Sequence, residues 1–76
     1  MNEDRRKQIQ GIIDKMQDAL QELVDIESDE QDYYDRIPDG IQAGERGQKA
    51  DDAITELSEA QDSINEAIGK LETAMQ

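Results

Sequence analysis

The sequence contains no cysteine, histidine, tryptophan or phenylalanine, and it has only two tyrosines and one proline. The lack of cysteine excludes disulfides and thiolate metal ligands, and the lack of histidine removes the usual imidazole base and metal ligand. Sites that pair a nucleophile with histidine are therefore excluded within this chain. Since a short helical chain with few aromatic residues also offers little concavity, we expect no enzymatic activity, no cofactor and no metal site.

Long apolar runs are absent as well, because no more than two residues of Ile, Leu, Val or Met follow one another. This pattern predicts no membrane-spanning segment and no membrane partner. The chain has 76 residues, with 20 acidic against 8 basic side chains and a net charge of −12. Such a surface repels phosphate backbones and attracts basic proteins, so we expect no direct nucleic-acid binding. A single domain of this size buries little core, which favours self-association.

Residues 2–34 are predicted to form one amphipathic helix. Asn2 is a suitable N-cap. Apolar residues then recur at steps of three and four, which is the spacing of one helix face. These residues are Ile9, Ile12, Met16, Ala19, Leu23 and Ile26, and the face is widened by Ile13, Leu20 and Val24.

A bend at residues 35–40 is predicted to separate this helix from a second one. Pro38 disfavours helical geometry at Ile37. Asp39 is expected to cap the second helix, with Gln42 completing a capping box. That helix should run from about 41 to 75.

The second helix carries a seven-residue repeat, which is typical of left-handed coiled-coil packing. Its columns are Ala53, Ala60, Ala67 and Ala74; then Ala43, Ala50, Leu57, Ile64 and Leu71; then Gly40, Gly47, Ile54, Gln61, Ile68 and Met75. Gln61 is the polar exception in its column, and it either fixes the register or lies at the edge of the contact.

The predicted fold is all-α: one domain over residues 1–76, formed by an antiparallel helical hairpin with coiled-coil-like packing. Pairing around Pro38 places Leu23 near Ala53, Met16 near Ala60 and Ile9 near Ala67. Both apolar faces are wider than one partner helix covers, so we expect a homodimer that forms a four-helix bundle, or a higher oligomer.

An acidic stripe along the first helix is the first candidate site. Its members step by four and three, so they share one face with neighbours about 5–6 Å apart, near the spacing of successive phosphates. The stripe consists of Asp18, Glu22, Asp25, Asp29 and Asp32. It is either a solvated face that keeps the protein soluble or a surface for a basic partner. Only Asp32 has a predicted local ion pair, with Arg36.

The bend is the second candidate site, with aromatic faces and guanidinium groups that suit a planar or phosphorylated ligand. Its residues are Tyr33, Tyr34, Arg36 and Arg46. The alternative is structural, with Tyr33 covering the small residues of the second helix. The series Asp25, Glu27, Asp29 resembles the start of a calcium loop, but it lacks the turn glycine and the closing glutamate.

The bend also carries a resemblance. Residues 30–42, followed by Glu45-Arg46-Gly47, combine an aromatic-Asp-x-aliphatic-Pro-x-x-aliphatic-Gln bend with a Glu-Arg-Gly step and an Ala-rich acidic helix. This arrangement resembles short acidic helical proteins of tailed phages and prophages, over roughly the last two-thirds of the chain. The resemblance implies a phage accessory role in the cytoplasm of a bacterial host, without a settled activity.

Three functions fit these features. The first is an accessory protein that binds a basic host protein and modulates or inhibits it, with nucleic-acid mimicry as one mode. The second is an oligomeric structural or assembly factor that docks a partner through its apolar surface. The third is sequestration of a small nucleotide-like ligand at the Tyr/Arg bend. A plasmid-type RNA-binding hairpin dimer shares the architecture but has the wrong charge.

Overall fold

The computed structural model describes all residues, 1–76. It contains three helices, α1 (Glu3–Arg36), α2 (Asp39–Gln42) and α3 (Glu45–Ala74), and no strand. Helix accounts for 89% of the chain, and α1 and α3 pack as an extended hairpin, which confirms the predicted all-α hairpin. The radius of gyration is 17.3 Å, against about 11 Å for a compact chain of this length.

The start and end of α1 follow from capping and from the proline. The Asn2 side chain accepts a hydrogen bond from the Arg5 backbone N–H at 2.8 Å, which confirms the N-cap. The helix continues two residues beyond the predicted end, because Pro38 restricts only the residue before it. Ile37 accordingly has extended φ and ψ of −70° and 128°, and its N–H donates to the Tyr34 carbonyl.

The connection between α1 and α3 is longer than predicted, and α3 begins at Glu45 instead of about residue 41. Asp39 does not act as the predicted cap, since no side chain caps α2 or α3. The Gln42 side chain, expected to fold back on the capping residue, donates instead to the Tyr34 carbonyl at 2.9 Å. That bond fastens the short helix α2 to the end of α1.

Gly47 lies where the connection packs closely on α3. It is buried, and a Cβ atom at this position would overlap the backbone of Gln42. Ile37 and Ala50 are also buried here, with 2% and 3% of their surface exposed. A glycine at position 47 therefore allows two backbone segments to approach more closely than any side chain would permit.

The contact between α1 and α3, here called the seam, is formed by buried or half-buried residues that alternate at steps of three and four. On α1 these are Ile9, Ile13, Met16, Leu20, Leu23, Glu27, Glu30 and Tyr34. On α3 they are Gly47, Ala50, Ile54, Leu57, Gln61, Ile64, Ile68 and Leu71, followed by Met75. This spacing, held over the whole length, is that of a coiled coil.

The alanine column of α3 lies beside the seam and not within it. Ala60 and Ala74 are exposed, and Ala53 and Ala67 are half-buried. The prediction that this column makes the close contact with α1 is therefore wrong. The columns that contain Leu57 and Ile68 take that place, because their combined spacing alternates between three and four.

The two helices are antiparallel, but their register differs from the prediction. Arg6 Nε donates to the Met75 carbonyl at 2.9 Å, and Gln61 Nε2 donates to Glu27 Oε2 at 2.6 Å. Pairing around Pro38 would have placed Gln61 near Lys15. Because the connection extends to Gly44, its midpoint moves from Pro38 to between Gly40 and Ile41, which displaces every residue of α3 relative to α1.

Candidate functional site: an acidic stripe and a tyrosine–arginine bend

The five carboxylates of the acidic stripe are all exposed on α1. Asp18 and Asp32 are 14 residues apart, so the stripe is about 21 Å long. Within the stripe, one side chain is hydrogen-bonded to another residue: Asp25 Oδ1 accepts from Gln21 Nε2 at 3.3 Å. The stripe thus presents nearly all of its acceptor oxygens to solvent.

No ion pair neutralises the stripe. The chain contains three ion pairs: Arg6–Glu3 at 3.8 Å, Lys49–Glu45 at 3.2 Å and Lys70–Glu66 at 3.7 Å. The predicted pair between Asp32 and Arg36 is therefore not formed. Arg36 occupies the last turn of α1, where a cation interacts favourably with the helix dipole without a carboxylate partner. The stripe keeps its full negative charge.

At the bend, Tyr33 and Arg46 contact each other across the hairpin. Arg46 Nε donates to the Tyr33 hydroxyl at 2.7 Å, and the guanidinium carbon lies 5.2 Å from the centre of the tyrosine ring. That distance is within the range of a cation–π interaction. Tyr33 remains 40% exposed, so this contact lies on the surface of the molecule.

The other two residues of the predicted bend site do not join this contact. Tyr34 is half-buried in the seam, and its carbonyl accepts from Gln42. Arg36 is exposed and forms no ion pair. The four residues therefore do not converge on one ligand position, and no depression opens at the bend.

The one surface depression lies at the opposite, open end of the hairpin, with a volume of about 250 Å³. It is lined by Glu3, Arg6, Lys7, Gln10 and Met75. No group of acidic side chains is placed to hold a metal ion. None of the helices has a stretch apolar enough to span a bilayer.

Two polar contacts of the seam were not predicted from the sequence. One joins Glu27 to Gln61, and the other joins Arg6 to the Met75 carbonyl. A signal for both was present, since Arg6 and Glu27 continue the three-and-four spacing that runs through Ile13 and Leu20. A polar residue at a seam position predicts a cross-hairpin partner, because a half-buried polar group is stabilised by a hydrogen bond. The hydrogen bond from Gln61 to Glu27 therefore links the two helices in this register.

Comparisons with protein-family models, curated proteins and solved structures found no match to this chain. The resemblance to phage proteins therefore stays a prediction.

Proposed function

We propose that this protein is a small acidic binding protein that presents the α1 stripe to a basic surface of another protein and so modulates or inhibits it. The observation that carries the proposal is the exposed row of Asp18, Glu22, Asp25, Asp29 and Asp32, with no basic side chain paired to it. Like charges at this spacing each cost a helix a few tenths of a kcal/mol. A basic surface on a binding partner would offset this cost by placing cations next to the carboxylates.

The row also has the dimensions of a nucleic-acid mimic. Five carboxylates along about 21 Å of a straight helix resemble a short run of phosphates in charge and spacing. A basic nucleic-acid-binding site is therefore the class of partner surface that fits best. The resemblance of the bend to phage accessory proteins agrees with an action on a host protein in the bacterial cytoplasm.

We further propose that the protein acts as a homodimer. A compact monomer of 8.6 kDa exposes about 4,700 Å², whereas this chain exposes 5504 Å². The excess, about 800 Å², follows from the extended shape of the hairpin and is similar to the area that one partner buries in a standard protein–protein interface. This surplus equally suits the assembly-factor alternative, in which a foreign helix replaces the second copy.

The function is tested by neutralising the stripe. The variant carries Asp18→Asn, Glu22→Gln, Asp25→Asn, Asp29→Asn and Asp32→Asn. A matched control neutralises five exposed carboxylates elsewhere, through Asp4→Asn, Asp39→Asn, Asp51→Asn, Asp62→Asn and Glu72→Gln, so both proteins have the same net charge. Affinity is measured for a partner captured from bacterial lysate and identified by mass spectrometry, at two salt concentrations.

We expect the stripe variant to lose affinity mainly through slower association at low salt, and the control to keep most of it. The helical content should change little, since the five substituted side chains are exposed within the chain and their like-charge neighbours are gone. An equal loss of affinity in both variants would mean that net charge, and not the position of the stripe, determines binding. Unchanged affinity in both would remove it from the function.

A further inference from the structure

One broad side of the hairpin is apolar between its two ends. Next to the seam, each helix carries a column of residues that repeats every seven positions. On α1 the column consists of the residues just before Ile13, Leu20, Glu27 and Tyr34. On α3 it consists of the residues just before Gly47, Ile54, Gln61, Ile68 and Met75. They are Ile12, Ala19, Ile26 and Tyr33 on α1, and Arg46, Ala53, Ala60, Ala67 and Ala74 on α3. Because the helices are antiparallel, positions equivalent in this repeat lie on the same side of the hairpin.

The contact between Tyr33 and Arg46 shows this placement directly, since each belongs to one of the two columns and they are hydrogen-bonded at 2.7 Å. We call this side the apolar face. Its large members are uncovered within the chain: Ile12 is 49% exposed and Ile26 is 51% exposed.

The opposite side, here called the polar face, follows the seam in the other direction. Its residues are Gln10, Gln17, Val24 and Gln31 on α1, and Asp51, Ser58, Asn65 and Glu72 on α3. Val24 is the one large apolar residue among them, and it is 41% exposed. Only one of the two faces is therefore suited to bury surface.

We propose that the apolar face binds the same face of a second copy, with the two bends at opposite ends of the dimer. This inference rests on the homodimer proposed above and specifies its interface. A twofold axis between two such faces allows two arrangements. Either each α1 lies on the α3 of the partner with both bends at the same end, or α1 lies antiparallel on the partner's α1 with the bends at opposite ends.

The distribution of charge selects the second arrangement. Residues 3–17 of α1 carry four basic and three acidic side chains, whereas residues 18–36 carry one basic and eight acidic side chains. With both bends at one end, the two acidic halves would lie at the same end of the dimer. With the bends at opposite ends, each acidic half of α1 lies against residues 3–17 of the partner's α1, which carry net positive charge, and this is the electrostatically complementary choice.

Tyr33 and Arg46 contact each other at the bend, and the remaining residues of the two columns share one centre, through which a twofold axis can pass. On α1 the midpoint of Ile12 and Ile26 is Ala19. On α3 the midpoint of Ala53 and Ala74 lies between Ser63 and Ile64, and the bond between Arg6 and the Met75 carbonyl sets that point within about one turn of Ala19. The axis then passes near Ala19 and places Ile12 against the partner's Ile26.

The same register pairs charges across the interface. Lys15 and Glu22 lie on the side of α1 next to the apolar column, and the axis near Ala19 sets Lys15 level with the partner's Glu22. The outermost carboxylates, Asp18, Asp25 and Asp32, still face solvent. Because each α1 lies on the partner's α1, the two acidic rows would lie on the same edge of the dimer and extend from the axis toward opposite ends, where each is available to a basic partner.

The arrangement is tested with single cysteines, since the wild-type chain has none. Two cysteines form a disulfide only when their Cα atoms lie within about 7 Å, so a residue on the twofold axis crosslinks to itself. Ala19→Cys is the test, and Gln17→Cys, at the same level on the polar face, is its matched control. A mixture of Ile12→Cys and Ile26→Cys tests the register, and a mixture of Ala19→Cys and Ala60→Cys tests the same-end arrangement.

We expect Ala19→Cys to give at least about tenfold more crosslinked dimer than Gln17→Cys, and the Ile12/Ile26 mixture to crosslink while neither variant does so alone. Crosslinking in the Ala19/Ala60 mixture, without any in Ala19→Cys or Ala60→Cys alone, would overturn the arrangement while leaving a dimer in place. Crosslinking through Gln17→Cys would overturn the choice of face. Helical content by circular dichroism verifies that each variant is folded, and a folded monomer would refute the dimer itself.

Discussion

The two faces of the hairpin are built on the same seam, yet they differ in almost every side chain. The apolar face carries Ile, Ala or Tyr along α1 and alanine along most of α3. The polar face carries Gln, Asp, Ser, Asn and Glu, with one valine. A pair of helices needs only the seam to form a hairpin. The apolar side chains of one face are therefore not required by the hairpin itself, and the proposed dimer accounts for them.

The largest expected effect is a loss of stability caused by a substitution in the seam, because both faces depend on the packing of α1 against α3. Ile13, the buried residue of α1, is 2% exposed. Its replacement by alanine should lower the free energy of unfolding by about 2–5 kcal/mol, as core truncations do. Urea unfolding followed by circular dichroism measures this change. A loss as small as that of a surface substitution would show that the seam is not the core.

The second prediction compares the faces directly through a matched pair. Ile26→Lys places a charge on the apolar face, and Val24→Lys places one on the polar face at a residue of similar exposure. Because an unpaired charge is costly to bury and the interface contains two copies of it, Ile26→Lys should weaken dimerisation by roughly 100-fold or more.

Val24→Lys should leave the dimerisation constant nearly unchanged. Sedimentation velocity over a dilution series measures both constants. Equal effects from the two substitutions would abolish the distinction between the faces, and a stronger effect from Val24→Lys would reverse it.

The third and smallest effect concerns the alanine column of α3. Ala60 is exposed within one chain, so a leucine there meets no obstacle in a monomer. In the proposed dimer it lies against the partner's α3, and Ala60→Leu should weaken the assembly by roughly 1–3 kcal/mol through overpacking.

Ser58→Leu on the polar face is the control, for which we expect a neutral result or a slight gain in stability, since leucine favours helix. The melting temperature at a fixed micromolar concentration compares the two variants. A higher melting temperature for Ala60→Leu would mean that the alanine column faces solvent in the assembly.

Much of the fold was predictable because it depends on local periodicity. The steps of three and four through Ile9, Met16 and Leu23 predicted α1, and Asn2 marked its beginning. The register was not predictable in the same way, because it depends on how many residues the connection uses. The short helix α2 is held by the hydrogen bond from Gln42 to the Tyr34 carbonyl. This is a tertiary contact, which the sequence repeat does not predict.

The candidate site was predictable only in part. The acidic stripe follows from helical geometry alone, and all five carboxylates are exposed. The bend cluster does not follow, because Tyr33 and Tyr34 are neighbours in sequence but lie on different sides of α1, with Tyr34 in the seam and Tyr33 on the apolar face. The contact of Tyr33 with Arg46 could not be located without the register.

Whether a second copy covers the apolar face can be read from the mass of the unmodified protein in solution. Sedimentation equilibrium at micromolar concentration, together with circular dichroism, measures mass and helical content in the same sample. We expect a helical species of twice the 8.6 kDa chain mass. A fully helical species at the single-chain mass, stable over that concentration range, would contradict it.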